Sequence, residues 1–467
     1  MSDEKNTSFS GQLGFVLASA GSAVGLGNIW RFPYLAAKDG ILFIIIYLLL
    51  VLSFGFALLL TDITIGRKTR RSSIFAYYAI SPKWRYLGVL TFFVPALIMT
   101  YYPAIGGWIC HYIMVYLTGL QAAAADSSYF TGFISSTTSP VGYGLFFMLI
   151  TGLIIFFGVQ SGIERVSCWL LPIMFLMIIG IAGYVLTLEH TDANGQTRSG
   201  MMGLIYFLTP RFEDLTLSRF MQILLDAMGQ MFFSLSISMG IMITYGSYVN
   251  KEVNLSKCVL QIASFDTLAA LLAAVIIIPT IFVFSGPEGM SAGPSLMFIS
   301  LPKIFNVMGT AGVVIGALFF VMAAFAALTS CISVLEPIVA NIMDMFHSER
   351  KKTTVLTTLF YLGAVSVIAL GYSIFYVEVK LPNGSTAQLL DIMDYISTCF
   401  MMPMISLLTC LLIGWLVGSH WISDEVECCG HVFRAKGFYT LMIRYLAPVV
   451  MLILFLQSTG FWNAMID

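Results

Sequence analysis

Apolar runs long enough to cross a bilayer, separated by short polar loops, recur along the whole chain. A helix that spans the hydrocarbon core of a membrane needs about 20 predominantly apolar residues. We predict eleven spans, at roughly 13–37, 41–66, 86–118, 141–159, 163–187, 221–249, 257–284, 309–346, 354–375, 387–417 and 438–462. The pattern predicts an all-α, polytopic membrane protein in which residues 1–467 form a single transmembrane domain.

The composition supports this prediction. Hydrophobic residues make up 58% of the chain and charged residues 10%, whereas a soluble domain has about 25% charged residues. Membrane lipid must therefore cover much of the surface. The formal net charge of −1 gives no reason to expect a nucleic-acid partner. None of these features specifies an oligomeric state.

The charges in the loops predict the orientation. With the N-terminus inside, the cytoplasmic segments hold fifteen Lys and Arg residues and the external segments six, in the sense of the positive-inside rule. The first residues, MSDEKNTSFS, lack the apolar core of a secretory signal. We expect a cell-membrane protein with a cytoplasmic N-terminus and an extracellular C-terminus. On the external side, Pro287, Pro294 and Pro302 break the apolar stretch 285–308, which predicts a bent lid.

The first span is interrupted by glycine. Residues 21–28, GSAVGLGN, contain three glycines, each costing about 1 kcal/mol relative to alanine in a helix. Unwinding would free peptide groups, which a membrane tolerates only where they line a cavity or bind something. Close helix packing explains the glycines equally well. The polar Asn28 and Arg31, followed by Pro33, favour a binding site.

The sixth span has a second interruption at residues 233–240, FSLSISMG. Serines can bond to carbonyls one turn back without breaking a helix. However, this stretch occupies the same relative place in spans 6–10 as the glycines do in spans 1–5. Paired interruptions are typical of inverted-repeat transporters. We predict repeats at about 10–190 and 220–418, with an extra helix at about 438–462.

Ionisable residues inside a span are candidates for function, because each costs at least about 2.5–3.5 kcal/mol at mid-membrane. The acidic ones are Asp62, Asp226, Asp266, Glu336 and Asp394, with Asp344 near an inner end. We expect structural roles for Asp62 and Asp226, which lie near span ends. Asp266, well inside the seventh span, needs a cation or a proton.

Enzymatic chemistry has little support in the chain. The five histidines form no nucleophile or metal constellation, so we expect neither an enzyme nor an organic cofactor. Cys428, Cys429 and His431 cluster in one loop, with His420 as a fourth candidate, but their spacing matches no standard metal motif. Solvated thiols are the preferred interpretation of that loop.

Four segments, GSAVGLGNIWRFP, FFSLSISMG, GPSLMFISLPKIF and LTSCISVLEP, together resemble the neurotransmitter:sodium symporter family, which has the LeuT-type fold. The resemblance runs nearly end to end, and eleven spans are similar to the shorter bacterial branch. It implies a 5+5 inverted repeat with unwound helices 1 and 6. It also implies symport of an amino acid with two sodium ions by alternating access.

The resemblance also implies particular ligands, carried over by motif position. The first sodium site takes Ala23, Asn28, Ser234 and Asp266 with the substrate carboxylate, and the second takes the Gly21, Val24 and Ala326 carbonyls with the Thr329 and Ser330 hydroxyls. All-oxygen ligation suits a hard cation, although the two hydroxyls could simply bond within their own helix. The substrate pocket takes Ala23, Gly25, Leu26, Gly27, Ile98, Tyr102, Phe233, Ser236, Met239, Ser330 and Val334. Those walls are mainly apolar, which favours neutral hydrophobic or aromatic amino acids.

The family's gates map to Arg31 and Asp394 outside and to Asp344 inside. Phe233 would be the aromatic lid of the outer gate. At the inner gate the family usually supplies a Trp and an Arg near the N-terminus. Here Phe9 stands at the Trp position and Lys5 is the nearest cation.

The resemblance also bears on chloride dependence and on the start of the fifth span. Animal members have Asn at the place of Asp266, and one turn later a Ser that helps to hold chloride. This chain has Ala270 there, so we expect chloride independence. Gly162 and Pro172 bracket the start of the fifth span, either as a static kink or as a turn that unwinds to admit water to the second sodium site.

Two alternatives to sodium symport stay open. One is a non-transporting receptor or channel of the same fold, although the polar groups cluster at mid-depth and form no continuous path. The other is a proton-coupled amino acid carrier, which Asp266 would permit. The paired hydroxyls of Thr329 and Ser330 favour sodium.

Overall fold

The computed structural model describes residues 8–191, 195–210, 215–286, 294–382 and 386–459, and this part of the chain is almost entirely helical. The α-helices are α1 Gln12–Ala23, α2 Phe32–Leu50, α3 Phe56–Thr69, α4 Ser73–Ile80, α5 Arg85–Leu117, α6 Gln121–Ala124, α7 Ser127–Ile134, α8 Ser139–Phe156, α9 Arg165–Leu186, α10 Gly200–Leu208, α11 Leu217–Ser234, α12 Ile241–Ser247, α13 Leu255–Ser285, α14 Leu301–Val307, α15 Thr310–Phe346, α16 Arg350–Ala369, α17 Leu389–Asp394, α18 Met402–Leu411, α19 His420–Val426, α20 Lys436–Leu441 and α21 Ala447–Ser458.

Shorter elements join or extend these helices. π-helical turns occur at Gly27–Arg31, Val51–Gly55, Val159–Glu164, Leu296–Ser300, Tyr395–Met401, Leu412–Gly418 and Met442–Leu446, and 3₁₀ turns at Pro82–Trp84, Leu370–Tyr372 and Cys428–Gly430. Two small antiparallel hairpins pair β1 Glu189–Thr191 with β2 Thr197–Ser199 and β3 Val379–Lys380 with β4 Thr386–Ala387. The prediction of an all-α membrane protein is confirmed.

Within the described residues, nine continuous helices are long and apolar enough to cross a membrane. The first of them, Gly27–Thr69, contains the last part of the first predicted span and the whole of the second, and Gly40, which leaves helical geometry at φ 63° and ψ −151°, separates the two. The other two broken segments complete the remaining spans: α1 forms the first part of span 1, and α11 with α12 forms span 6. Together these elements account for the eleven predicted spans.

Both predicted interruptions are present. α1 ends at Ala23, Val24 is extended, and helical geometry returns before the π-turn that begins at Gly27. In the second half, α11 and α12 are separated by six residues, of which Ser236 and Ser238 have φ values of 53° and 61°. That left-handed conformation costs a non-glycine residue roughly 1–2 kcal/mol. Strain of this kind is concentrated at functional sites.

Glycine allows the two halves to approach closely. A Cβ atom on Gly66 of α3 would stand 1.8 Å from the carbonyl oxygen of Ile243 in α12, so only glycine fits there. Around this contact, α1 packs against α9, α13 and α15, and α11 packs against α2. The Ser22 and Ser236 hydroxyls, one at each break, are 3.2 Å apart, so the two breaks face one another in the middle of the bundle.

The fifth span and the predicted external lid differ in how regular they are. α9 runs without a break through Pro172, and the irregular turn of this span lies earlier, at Val159–Glu164. The predicted lid contains the Leu296–Ser300 turn and α14, with Pro302 in the first turn of α14. Its residue Pro287, like Lys5 near the N-terminus, lies outside the described residues.

Candidate functional site

A cavity with about 370 Å³ of empty space, counted with the solvent that opens into it, lies where the two breaks meet. Ten of the eleven residues predicted for the substrate pocket line it, and the buried Leu26 does not. Its lining is formed by Ser22, Ala23, Gly25, Gly27, Asn28, Ile98, Tyr102, Phe233, Ser234, Ser236, Met239, Ile241, Ser330 and Val334.

Two lining residues, Ser22 and Ile241, were missed by the sequence analysis. Both stand directly beside a break, so proximity to the glycine and serine interruptions was the available signal. None of the described residues that line the cavity carries a charged side chain. The cavity is narrow at Gly25, since a Cβ atom there would lie 2.8 Å from Ser330 Oγ and 3.2 Å from the Tyr102 hydroxyl.

Asp266 is the centre of a buried polar cluster beside the cavity. Its Oδ1 accepts hydrogen bonds from Asn28 Nδ2 at 2.8 Å and from Ser234 Oγ at 2.6 Å. Its Oδ2 accepts one from the Tyr47 hydroxyl at 3.0 Å. The side chain is wholly inaccessible to solvent. Donors on three other helical segments therefore fix the position of one carboxylate.

The residues predicted for the first sodium site are thus brought together. Asn28, Ser234 and Asp266 are joined by direct hydrogen bonds, and Ala23 and Asn28 line the adjoining cavity. The Asn28 side chain accepts a hydrogen bond from the Gly25 amide at 3.0 Å through Oδ1. Carboxylate, amide and hydroxyl oxygens are the ligands that hard cations prefer. The donor set fits a sodium ion carried as cargo.

The residues predicted for the second sodium site lie where α1 meets α15. Thr329 donates within its own helix, to the carbonyls of Phe325 at 3.0 Å and Ala326 at 3.2 Å. Ser330 instead crosses to the other element and donates to the Ser22 carbonyl at 3.2 Å. A hydroxyl oxygen that donates one hydrogen bond keeps lone pairs for a cation. The intrahelical alternative therefore describes Thr329 here but does not describe Ser330.

Direct hydrogen bonds join the two breaks to each other. The Ser22 and Ser236 hydroxyls are 3.2 Å apart, and Ser236 Oγ also lies 3.3 Å from the Ser22 carbonyl. On the outer side, Gln230 Nε2 donates to the Gly27 carbonyl at 3.2 Å. Peptide groups freed by the breaks are therefore partly satisfied by side chains of the opposite half.

Above the cavity, the two predicted outer-gate residues make no direct ion pair. Asp394 accepts a hydrogen bond from the Tyr101 hydroxyl at 2.6 Å. The Arg31 guanidinium lies beside Gly229, 3.1 Å from where a Cβ atom would stand. Phe233, the predicted lid, is partly exposed and packs against Gly27.

Below the cavity, the chain before α1 is held by contacts that the sequence did not predict. Phe9 is only 2% exposed, and its ring lies 5.5 Å from Tyr245 and 6.2 Å from Tyr248. The Phe9 amide donates to the Tyr248 carbonyl at 3.2 Å. The next amide, that of Ser10, donates to Glu164 Oε2 at 2.9 Å. Phe9 thus fills an aromatic pocket between α1 and α12.

The predicted inner-gate residue Asp344 has a partner in the loop before α4. It accepts hydrogen bonds from the amide and the hydroxyl of Ser72, at 3.0 and 2.6 Å. Close by in the sequence, Glu336 accepts from Tyr248 at 2.7 Å and from Arg350 at 2.9 Å. This buried cluster links α12, α15 and the start of α16 at the inner end.

The side chains of the cysteine loop contact backbone carbonyls of a neighbouring loop. Within the described ranges, no three His, Cys, Asp or Glu side chains converge in a way that could hold a metal ion. The Cys428 thiol donates to the Lys251 carbonyl at 3.5 Å, and His431 Nε2 contacts the Glu252 carbonyl at 3.0 Å. Burial raises the pKa of Cys428, which disfavours the thiolate form that binds metals.

Two half-helices that break opposite each other at mid-membrane, around a cavity with oxygen ligands, define a secondary active transporter. The sodium:neurotransmitter symporter family model matches residues 6–138 and 141–464, so the chain belongs to that family. It is therefore a sodium-dependent transporter and not an enzyme, and its fold is of the LeuT type.

Individual relatives agree with this assignment. An uncharacterized sodium-dependent transporter of Bacillus subtilis, YhdH, is 33% identical over 98% of this chain and 99% of its own. A sodium-dependent transporter of Haemophilus influenzae is 29% identical over the same shares. The crystal structure of MhsT in complex with L-phenylalanine has a TM-score of 0.82 and 31% identity, and the match covers 97% of this chain and 99% of MhsT. The resemblance found in the sequence is confirmed.

Proposed function

We propose that this protein imports neutral hydrophobic or aromatic L-amino acids across the cell membrane, coupled to two sodium ions, by alternating access. The observation that carries the proposal is the cavity between the breaks. Its lining combines the peptide groups of the breaks and the Tyr102 hydroxyl with large apolar side chains and carries no charged side chain among the described residues. The charge bias of the loops supports a cytoplasmic N-terminus and an extracellular C-terminus.

The wall chemistry supports the substrate class. Ile98, Met239, Ile241, Val334 and Phe233 are the large apolar residues of the cavity lining, and a substrate side chain would lie against them. A charged side chain in this space would lose its hydration without gaining a partner. An apolar or aromatic side chain would gain roughly 25 cal/mol for each Å² of surface removed from water. MhsT, which was crystallised with L-phenylalanine, agrees with this class.

The zwitterionic ends of the substrate have natural partners. The N-terminal end of the outer half-helix, at Leu26 and Gly27, presents backbone amides and the positive end of a helix dipole, which suit a carboxylate. That carboxylate would complete the first sodium site beside Asp266. The second sodium ion would lie between the carbonyls of Gly21 and Val24 and the hydroxyls of α15.

Chloride independence follows from the charge of Asp266. Two sodium ions and a zwitterion bring two positive charges into a buried site, so a fixed negative charge is favourable there. Asp266 supplies it, and Ala270 offers no hydroxyl to hold an anion. The three donors around the carboxylate stabilise its ionised form.

Uptake into liposomes tests the proposal. The purified protein should accumulate radiolabelled phenylalanine, leucine or tryptophan down an inward sodium gradient, with saturation, and should leave glutamate and lysine outside. Replacing chloride by gluconate at constant sodium should not change the rate. Replacing sodium by potassium should abolish uptake.

The alternatives have distinct outcomes in the same assay. Uptake driven by a proton gradient in sodium-free buffer would identify a proton-coupled carrier instead. Flux that increases linearly with substrate concentration and needs no gradient would identify a channel. Substrate binding without accumulation would identify a receptor.

A further inference from the structure

A second, larger concave surface lies on the outside of the bundle, away from the transport site. It encloses about 1350 Å³ of space, counted together with its open surroundings. Its walls come from α5, from the last turns of α15 and from the first half of α16. The lining residues are Phe92, Phe93, Ala96, Ile338, Ile342, Phe346, Ser348, Lys352, Thr353, Leu356, Thr357, Phe360 and Tyr361. We call this surface the α5–α16 groove.

The groove faces the membrane. Phe93, Leu356 and Phe360 are each about half exposed or more, and all three lie on predicted membrane spans. Along α16, the eight residue steps from Lys352 to Phe360 rise by about 12 Å. The groove therefore runs from the end of the span into the depth of one leaflet. A molecule that fills the groove must therefore have an apolar part that is compatible with the hydrocarbon of the bilayer.

The chemistry changes at one end of the groove. Lys352 is exposed at its mouth and makes no hydrogen bond or ion pair within the described part of the chain. The nearby Ser348 and Thr353 hydroxyls lie 2.6 Å apart. Arg350 is already neutralised by Glu336. Lys352 is the charged residue among those that line the groove, so the mouth carries a positive charge.

An apolar groove that ends at a free lysine complements an amphiphile with a negative head. On the orientation proposed above, this end of α16 faces the cytoplasm, where basic residues flanking a span attract anionic lipids. We propose that the α5–α16 groove is a binding site for an anionic phospholipid of the inner leaflet. The acyl chain lies along the aromatic walls, and the phosphate lies at Lys352 beside the Ser348 and Thr353 hydroxyls.

A lipid bound in the groove would also stabilise the packing of α5, α15 and α16. α5 and α15 both contribute to the substrate cavity, through Ile98 and Tyr102 on one and Ser330 and Val334 on the other. The groove joins the same two helices to α16 at their inner ends. A bound lipid therefore bridges elements on which the cavity depends, without contacting the substrate.

Native mass spectrometry of the full-length protein tests the site directly. Protein released from mixed micelles that contain phosphatidylcholine and phosphatidylglycerol should retain phosphatidylglycerol in preference. Lys352→Gln should weaken that retention about fivefold, the effect of one basic residue near an anionic surface. Lys351→Gln is the matched control, because it removes the same charge one residue away but outside the groove lining.

A second variant tests the apolar part of the groove. Ala96 is partly exposed and lines the wall, so Ala96→Phe should fill the space and reduce retention of every phospholipid while leaving the lysine in place. Substrate binding in detergent should persist in all three variants, and this separates failure of the lipid site from failure of the proposed transport function.

Several outcomes would overturn the proposal. Equal losses in the Lys351 and Lys352 variants would mean diffuse surface charge rather than a site. Equal retention of phosphatidylcholine and phosphatidylglycerol would mean that the lysine does not select the head group. A lipid-free dimer whose mass distribution shifts to monomer in the Ala96 variant would mean that a second copy of the chain covers the groove.

Discussion

Removing the negative charge of Asp266 is the sharpest test of how this site binds sodium. Asp266→Asn keeps the size of the side chain and one oxygen ligand, but the new amide group cannot accept the hydrogen bonds now made by Ser234, Asn28 or Tyr47 on that side. Two unit charges about 4 Å apart attract by about 4 kcal/mol at an effective dielectric constant of about 20. Part of this attraction is retained by the amide dipole and by the substrate carboxylate.

We therefore expect the sodium concentration for half-maximal substrate binding to rise between about tenfold and a hundredfold, at 1.4 kcal/mol for each factor of ten. The assay is equilibrium binding of radiolabelled substrate to purified protein, titrated with sodium at constant ionic strength. Asp226→Asn is the matched control. It removes a carboxylate that pairs with Lys38 at 3.5 Å near the outer end, away from the cavity.

A double variant extends the same reasoning to chloride. Asp266→Asn combined with Ala270→Ser restores the pattern of the animal family members and should bind substrate better in chloride than in gluconate. The single variant should show no such preference. If Asp266→Asn kept the sodium dependence of the wild type, the carboxylate would not be part of the cation site and the charge argument would be wrong.

Three further changes test other parts of the mechanism. Gly25→Ala should abolish substrate binding without unfolding the protein, because the added Cβ enters the cavity 2.8 Å from Ser330 Oγ. Gly132→Ala, whose new methyl group meets open space, is the control. If Gly25→Ala retained substrate binding, the substrate would bind elsewhere than in this cavity. Glu164→Gln should speed hydrogen exchange at residues 8–14 by about tenfold, since a hydrogen bond to a charged group contributes about 1.5–3 kcal/mol; unchanged exchange would mean that Glu164 does not hold the segment before α1. Pro172→Ala should slow sodium release and turnover if the fifth span must unwind, and wild-type turnover would leave this proline a static feature.

Local signals predicted much of the architecture. Apolar runs of sufficient length marked the spans, because a membrane segment must satisfy its own backbone hydrogen bonds. The glycines at 21–27 and the serines at 234–238 marked the breaks, because both stretches are poor at holding an uninterrupted helix. The residues that line the cavity cluster at those breaks, and the resemblance to the family assigned their roles.

The contacts that close the inner end could not be predicted in this way. Ser10 and Glu164 are 154 residues apart in the chain, and Ser72 and Asp344 are separated by 272. Helical periodicity reports which face of a segment is apolar, but it does not report which distant segment covers that face. The partners of Asp344 and Phe9 were therefore left open, although the two residues were recognised as candidates for the inner gate.

The hydrogen bonds around Ser22 suggest how ion and substrate binding are coupled. The Ser22 carbonyl accepts a hydrogen bond from Ser330 of α15, and the Ser22 hydroxyl contacts the Ser236 hydroxyl at the second break. The two proposed sodium sites and the substrate therefore all act on the short unwound stretch at Val24 and Gly25. A ligand shifts a conformational equilibrium only by its differential affinity for the two states, and coupling between sites is reciprocal. Sodium must then raise substrate affinity by the same factor by which substrate raises sodium affinity, and loss of either ion site should weaken amino acid binding even where no contact to the amino acid is removed.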